Sequence, residues 1–186
     1  MRKIIFFMLT SIDGYFEGPN HDLSWHNVDK EFNKFAIAQL KETDLLFFGH
    51  TTYDMMASFW PSEHAIKTDP VVAGLMNKTK KVVFSKTLKK AAWNNTTILK
   101  DVIPSKIFKL KKQKGKYISI FGSSNLALSF IKHGLIDEFR IMVNPLVLGK
   151  GTTLFNGINN KLALKLIDTK TFRNGNTLLT YTQEKK

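Results

Sequence analysis

The 186-residue chain is 43% hydrophobic and holds 15 Phe, a composition typical of a globular protein rather than a disordered one. It has no Cys, which excludes disulfides, zinc–thiolate centres, iron–sulfur clusters and thiol nucleophiles. The net charge is +13. The segment from Lys78 to Lys116 contains thirteen lysines and a single acid, Asp101. This basic segment is either a nucleic-acid footprint or a solvated lysine-rich surface. We favour the solvated surface, because the segment contains no Arg.

The N-terminal apolar run from Ile4 to Leu9 is short and has no small-residue cleavage site after it, so it predicts a buried strand rather than a signal peptide. No apolar stretch approaches the roughly 20 residues of a membrane helix. We therefore expect a cytoplasmic protein with no membrane partner. No repeat or linker divides the sequence, which predicts a single domain over 1–186.

Strand-like and helix-like segments alternate along the first half. In chain order they are a strand over 3–8, a turn-rich loop over 11–26, a helix over 29–41, a strand over 45–48 and a helix over 51–61. Asp29 is placed to cap the first helix. Thr51 and Asp54 have the spacing of a capping box, which predicts the start of the second helix.

The same alternation continues to a C-terminal hairpin. The predicted helices are one that starts at residue 70, a weaker one over 105–113 and one opened by residues 122–124 and closed at Gly134. The predicted strands cover 81–84, 117–121 and 139–143, and the hairpin strands cover 162–166 and 177–182. This order predicts an α/β fold in three layers: a twisted, mostly parallel sheet flanked by helices, with a C-terminal antiparallel hairpin.

Two segments share one pattern, in which an apolar strand ends in Gly and small hydroxyl residues open a helix. They are the segments at Gly49 and at Gly122. Such a turn presents backbone N–H groups at the positive end of a helix dipole, which favours a phosphate. Two of them in one domain indicate a ligand with more than one phosphate. Neither is a GxGxxG or a P-loop, which disfavours Rossmann dehydrogenases and Walker-type nucleotidases.

Carboxylates are the candidates for proton transfer. Asp13, Asp29 and Glu31 bracket the first loop and the first helix, and a buried carboxyl group beside a substrate can supply a proton. The simpler interpretation makes Asp13 a turn residue and Asp29 a helix cap. Trp25 and Phe35 are candidates for the wall of a planar substrate site. The five histidines show no metal-ligand spacing, so we expect no metal site.

Six sequence blocks in order resemble the dihydrofolate-reductase-like superfamily. They are Ser11–Phe16, Gly49–Asp54, Val83–Leu88, Phe121–Ser124, Leu135–Arg140 and Val143–Gly151. Within the superfamily, the blocks are most similar to the reductase domain of riboflavin-biosynthesis deaminase/reductases and its single-domain bacterial relatives. The family usually has Arg where this chain has His50, and Glu where it has Asp54.

The resemblance implies that NADPH lies across the carboxyl edge of the sheet. The phosphates would contact Gly49, His50, Thr51, Thr52, Gly122, Ser123 and Ser124. Ser85 and Lys86 would lie near the adenosine 2′-phosphate. The loop from Asp13 to Trp25 would border the nicotinamide and the substrate. A homodimer is also implied, because the riboflavin reductases tend to pair.

The function expected from these observations is NADPH-dependent hydride transfer to a small, heterocyclic substrate of the pteridine or aminopyrimidine type. Reduction of folate or of a pyrimidine nucleotide differs from it only in the substrate. Two alternatives belong to other classes. One is a nucleotide-binding member of the fold without turnover, and the other is a nucleic-acid-binding module that uses the segment from Lys78 to Lys116.

Overall fold

The computed structural model describes residues 1–184 and is built around an eight-stranded sheet. The strands are β1 (Lys3–Thr10), β2 (Tyr15–Glu17), β3 (Thr43–Gly49), β4 (Lys80–Phe84), β5 (Thr96–Leu99), β6 (Tyr117–Phe121), β7 (Glu138–Val143), β8 (Thr152–Thr153), β9 (Leu164–Thr171) and β10 (Thr177–Gln183). The helices are α1 (Lys30–Lys41), α2 (His50–Phe59), α3 (Glu63–Thr68), α4 (Pro70–Lys78), α5 (Pro104–Lys112) and α6 (Ser124–Lys132), and a 3-10 turn covers Pro19–His21.

The strand order is β5-β4-β3-β6-β1-β7-β10-β9, and all pairs from β5 to β7 are parallel. Strand β10 pairs antiparallel with β7 and with β9, so the C-terminal hairpin extends one edge of the sheet. Strands β2 and β8 form a separate two-stranded ribbon. The predicted fold class, a mostly parallel α/β sheet with an antiparallel hairpin at its end, is confirmed.

Strand β1 lies in the middle of the sheet because its apolar residues can be buried on both faces. Ile4, Ile5 and Phe6 are fully buried. On one face the strands pack against helices α5 and α6, which contribute residues such as Phe130. On the other face they pack against α1, α2 and α4, which contribute residues such as Tyr53. The two helical layers and the sheet make the predicted three layers.

The start of α2 differs from the sequence prediction. The capping box placed the N-cap at Thr51, but the N-cap is Gly49 and the helix begins at His50. Asp54 pairs instead with the ring of His50, at 3.2 Å from Nε2. The glycine therefore lies directly at the helix start, where its backbone can approach a neighbouring turn. Four short elements, β2, α3, β5 and β8, were not predicted because each is too short to show a period.

The amino edge of the parallel strands contains buried cations that the protein itself satisfies. Lys81 is 1% exposed, and its Nζ lies 4.4 Å from the centre of the Trp93 ring. This ammonium group donates to three backbone carbonyls, those of Asn77, Thr79 and Asn94. Lys111 is also buried, and its Nζ lies 2.6 Å from Oδ2 of Asp137, which also accepts from Ile4 N. No helix within residues 1–184 is long and apolar enough to cross a membrane.

Candidate cofactor and substrate site

The two glycine turns predicted from the sequence lie against each other at the carboxyl edge of the sheet. They meet because β3 and β6 are adjacent and parallel. The Gly49 N–H donates to Oγ of Ser123 at 2.8 Å. A Cβ on Gly49 would lie 3.2 Å from that same oxygen, and a Cβ on Gly122 would lie 3.4 Å from Cγ2 of Thr52. A larger residue at Gly49 would therefore press on Ser123, and at Gly122 the φ of +70° favours glycine.

The helices that start from these turns leave backbone N–H groups available. Gly49 and Ser123 are the N-caps of α2 and α6, and neither helix has a side-chain cap. The first N–H groups of a helix have no partner within it, so those of His50, Thr51 and Thr52 remain free to bind an anion. Ser123 has a φ of +57°, a left-handed conformation that costs a non-glycine residue free energy and often marks a functional site.

A polar cleft of about 430 Å³ opens in front of both helix starts. Eight of the nine residues expected to contact the cofactor line it: Gly49, His50, Thr51, Thr52, Ser85, Lys86, Ser123 and Ser124. The ninth, Gly122, lines the neighbouring cavity. The cleft also contains Lys100, Asp101 and Asn125, which the sequence analysis did not select.

Charged and polar side chains connect the far wall of the cleft to α2. Nζ of Lys86 lies 3.1 Å from Oδ1 of Asp101, so this ion pair partly neutralises the lysine. Lys100 also lines the cleft, and no ion pair to it is found within residues 1–184. Nδ1 of His50 lies 3.1 Å from Oγ1 of Thr87, which holds the loop after β4 against the helix. This wall can therefore attract a phosphate through Lys86 and Lys100.

An apolar cavity of about 370 Å³ adjoins the polar cleft. Its walls come from the carboxyl ends of β1 and β6 and from helices α1, α2 and α4. The cleft and the cavity share six lining residues: Phe16, Glu17, His21, Thr51, Thr52 and Ser123. A long ligand could therefore bind with one end in the polar cleft and the other in the apolar cavity.

Glu17 and His21 form an acid–histidine pair where the cleft and the cavity meet. Nδ1 of His21 lies 2.9 Å from Oε2 of Glu17, and Oε1 of Glu17 accepts from Oγ1 of Thr152 at 2.7 Å. The His21 side chain is 77% exposed, so solvent reaches its ring. Asn20 and His21 both have a φ near +60°. Two consecutive left-handed residues are strained, and such strain is concentrated at functional sites. Neither residue was predicted from the sequence, although His21 lies in the loop from Asp13 to Trp25 that was expected to border the nicotinamide and the substrate.

A second histidine, His26, lines the apolar cavity. Burial lowers its pKa, although the Phe16 backbone and Asp22 act in the opposite direction. Its Nε2 is buried and finds no hydrogen-bond partner within residues 1–184. A neutral ring is therefore favoured at this position.

The comparison with known proteins places the chain in a family. The RibD C-terminal domain family matches residues 2–178. The chain belongs to this family. Over 182 residues it is 32% identical to the protein YyaP of Bacillus subtilis (strain 168), whose name assigns no activity, and the match covers 97% of this chain and 94% of that protein.

Two solved structures share the fold of this chain at low sequence identity. The chain resembles the diaminohydroxyphosphoribosylaminopyrimidine deaminase/5-amino-6-(5-phosphoribosylamino)uracil reductase of Thermotoga maritima, with 12% identity, a TM-score of 0.68 and coverage of 98% of this chain and 56% of that one. It also resembles dihydrofolate reductase of Enterococcus faecalis complexed with NADP(H), with 14% identity, a TM-score of 0.64 and coverage of 98% and 97%. The fold is therefore dihydrofolate-reductase-like, as the sequence resemblance implied.

The three carboxylates selected from the sequence of this RibD-type domain lie outside the cavity. Asp13 is exposed and accepts from the backbone N–H groups of Leu148 and Gly149, and a hydrogen bond from Ser11, with these backbone bonds, lowers its pKa. Asp29 caps α1 by accepting from Phe32 N. Oε2 of Glu31 accepts from the Arg173 N–H. Each carboxylate therefore stabilises a turn or a helix start, which favours the simpler interpretation.

The two aromatic residues expected to bind substrate also lie outside the cavity wall. Phe35 packs between Phe7 and Phe172 in the core, with ring centres 5.8 and 5.6 Å away. Trp25 donates through Nε1 to the Asp22 carbonyl. Trp60, at the end of α2, does line the cavity. Trp60 therefore supplies the aromatic surface that was expected from Trp25 and Phe35.

The basic segment from Lys78 to Lys116 divides between the two edges of the sheet. Lys86 and Lys100 line the polar cleft, whereas Lys78 and Lys80 border a groove at the amino edge. Lys111 is buried in its ion pair. The segment is therefore not one continuous surface of the kind that tracks a nucleic-acid backbone. No cluster of three His, Asp or Glu suited to a metal ion occurs within residues 1–184.

Proposed function

We propose that this RibD-type domain is an NADPH-dependent reductase of a small organic substrate. The observation that carries the proposal is the pair of coupled helix starts, Gly49 and Ser123, facing a polar cleft that continues into an apolar cavity. A dinucleotide has the matching chemistry, since its phosphates suit free N–H groups and its nicotinamide ring suits apolar walls. The names of the Thermotoga and Enterococcus relatives support the same assignment.

In this proposal the N–H groups at the starts of α2 and α6 bind the phosphates, and Gly49 keeps the backbone open to them. Lys86 and Lys100 face the 2′-phosphate that distinguishes NADPH from NADH, because a lysine is a mobile point charge suited to that group. When bound, NADPH supplies the hydride. The protein orients the substrate beside it and excludes water through the apolar wall.

The proton that completes the reduction is assigned to the pair formed by His21 and Glu17. A hydride that arrives at a C=O or C=N bond leaves negative charge on the heteroatom, and a nearby acid can neutralise it. Oε2 of Glu17 lies 2.9 Å from Nδ1 of His21 and orients the ring, whose side chain is open to solvent. Both residues line the cleft and the cavity, unlike Asp13, Asp29 and Glu31.

The first experiment measures cofactor binding by the shift of the melting temperature. We expect NADPH to raise the melting temperature more than NADH does, because a ligand that binds only the folded state stabilises it. Lys86→Glu should weaken NADPH binding by about tenfold or more and change NADH binding little, because only NADPH carries the 2′-phosphate. Lys106→Glu, an exposed lysine of α5 away from the cleft, is the matched control.

The outcomes separate the competing functions. If millimolar NADPH and NADH both leave the melting temperature unchanged, the reductase proposal is wrong. Binding without oxidation of NADPH by any substrate would favour a nucleotide-binding protein without turnover. Equal losses for both cofactors in Lys86→Glu would transfer selectivity to Lys100. The cytoplasmic location and the homodimer stay predictions, and sedimentation velocity would test the homodimer.

A further inference from the structure

The chemistry of the apolar cavity contrasts with that of the cleft beside it. Its walls are formed mainly by aliphatic, aromatic and thioether side chains from three helices and the residue after α2, among them Phe32, Ala36, Met55, Met56, Trp60 and Met76. Helix α1, which carries Asp29 and Glu31 at its start, directs Phe32 and Ala36 to this space instead. The cavity therefore presents an apolar surface on nearly every side.

Charge is nearly absent from this wall. Among the residues of the cavity wall within the described chain, there is no Lys and no Arg. The one acid is Glu17, and both of its oxygens already have partners in Thr152 and His21. The polar cleft, by contrast, contains Lys86, Lys100 and Asp101.

This wall is poorly matched to the substrates of the relatives whose fold the chain shares. A phosphoribosyl group carries a phosphate, and moving a charge into apolar surroundings without a partner is very costly. The ring of a pterin or an aminopyrimidine carries several donors and acceptors, and each one left unpaired in the cavity costs about 1–3 kcal/mol. The cavity offers few partners for so many groups: the Oε1 of Gln39 already accepts from Arg140, and His26 supplies a single unpaired ring nitrogen, Nε2.

We infer that the cavity binds a neutral, largely apolar carbonyl compound, in place of a phosphoribosylated or pterin-like substrate. This inference rests on the proposed reductase function for the reaction and on the cavity wall for the substrate class. The substrate has one polar group, its carbonyl oxygen, which lies at the mouth of the cavity beside His21. The rest of the molecule packs against Met55, Met56 and Trp60.

The reaction balances with the groups already named. The carbonyl carbon accepts the hydride of the reduced nicotinamide and forms a new C–H bond. The electron pair of the C=O π bond moves to oxygen, which takes a proton from His21. The products are the alcohol and the oxidised nicotinamide. Solvent then returns a proton to His21, whose side chain is exposed.

The test compares neutral and charged ligands on the full-length protein. Isothermal titration calorimetry with and without NADP⁺ measures binding of 1-indanone, 2-cyclohexenone and 1-tetralone beside dihydrofolate and 5-amino-6-(5-phosphoribosylamino)uracil. Oxidation of NADPH measures turnover with the same compounds. We expect at least one neutral compound to bind and to be reduced at least about tenfold more efficiently than either charged compound.

A variant pair locates the binding in the cavity. Met55 lines the cavity and is 44% exposed, so Met55→Lys can fold while placing an ammonium group against the ligand. Met55→Lys should weaken binding of the neutral compounds by about tenfold or more, because their carbon surface cannot replace the water around the ammonium group. Ser58→Lys adds the same charge to the same helix outside the cavity and should leave binding unchanged. Met55→Leu changes shape without charge and should weaken binding less than Met55→Lys.

The experiment distinguishes failure of the reductase proposal from failure of the substrate inference. A protein that binds NADPH but prefers the phosphoribosylated pyrimidine or dihydrofolate would overturn the inference and leave the reductase proposal intact. So would an absence of binding by all three neutral compounds, or equal binding by Met55→Lys and Ser58→Lys. Binding of a neutral compound without any binding of NADPH would overturn the reductase proposal and support the assignment of the cavity.

Discussion

The two edges of the parallel sheet use polar groups in opposite ways. At the amino edge, Lys81 and Lys111 are buried; the ammonium group of Lys81 donates to three carbonyls and that of Lys111 donates to the Asp137 carboxylate. At the carboxyl edge, two helices start without side-chain caps, and His21 and Ser123 have left-handed backbones. The amino edge pairs its buried ammonium groups within the chain, whereas the carboxyl edge has uncapped N–H groups at two helix starts and residues with strained backbones. The difference indicates that stability and ligand binding are assigned to opposite ends of the same strands.

The largest effect is expected at the amino edge. Asp137→Ala would leave the buried ammonium group of Lys111 without its carboxylate and Ile4 N without its acceptor. We expect the free energy of unfolding to fall by about 3 kcal/mol or more, as measured by urea unfolding. NADPH affinity of the folded variant should stay close to that of the parent, since the pair is far from the cleft.

Asp168→Ala, on the exposed edge strand β9, is the matched control and should cost less than about 0.5 kcal/mol. Equal losses in the two variants would show that the buried pair contributes nothing special to stability. A large loss of NADPH affinity in folded Asp137→Ala would break the division between the two edges.

A pH dependence is the second prediction for the amino edge. Burial lowers the pKa of Lys81 from 10.5 to about 8. Between these values the unfolded chain binds more protons than the folded one, so the free energy of unfolding rises with pH through that window. Lys81→Met removes this one titrating group and keeps all the others. Relative to this variant, the free energy of unfolding of the parent should rise by about 1–3 kcal/mol between pH 8 and pH 10.5. A constant difference between parent and variant would mean that the three carbonyls keep Lys81 charged throughout.

At the carboxyl edge, two substitutions of Ser123 separate strain from binding. Ser123→Ala and Ser123→Gly both remove the oxygen that accepts from the Gly49 N–H, and both should weaken NADPH binding by about tenfold. Only glycine relieves the left-handed backbone, so Ser123→Gly should be more stable than Ser123→Ala by about 1 kcal/mol. Cofactor titration and urea unfolding measure the two effects. NADPH binding by Ser123→Gly at the level of the parent would remove the hydrogen bond from the binding argument.

The smallest effect is expected for Asp13, one of the three carboxylates that the sequence offered for proton transfer. Asp13→Asn should lower turnover by less than about threefold, because Asp13 is exposed and holds the backbone of Leu148 and Gly149. His21→Gln, in the pair with Glu17, should lower kcat by about tenfold or more without weakening NADPH. A loss of about 100-fold in Asp13→Asn would instead give Asp13 the role in proton transfer.

The sequence predicted the sheet because long, strongly apolar strands and the hairpin turn at Gly175 are local signals. The two glycine turns were visible as repeated local patterns, and the family resemblance added Ser85 and Lys86. That β3 and β6 are adjacent and parallel, which brings the turns together, is visible only in the fold. The sequence did not predict Glu17 and His21 as a pair. Their contact depends on two left-handed residues and on Thr152, which is distant in sequence. The apolar cavity was equally hidden, since its walls come from helices that meet only after folding.

The hydrogen bond from Gly49 to Ser123 has a consequence for the kinetics of binding. It joins two turns that are 74 residues apart in sequence, so both are ordered before any ligand arrives. The conformational entropy of fixing them is therefore lost during folding and not again at association. A dinucleotide that bridges the turns should associate in a single concentration-dependent phase, with no slower ordering step behind it. Stopped-flow fluorescence with NADPH would show one exponential for the parent, and a second, slower one once Ser123 has lost its oxygen.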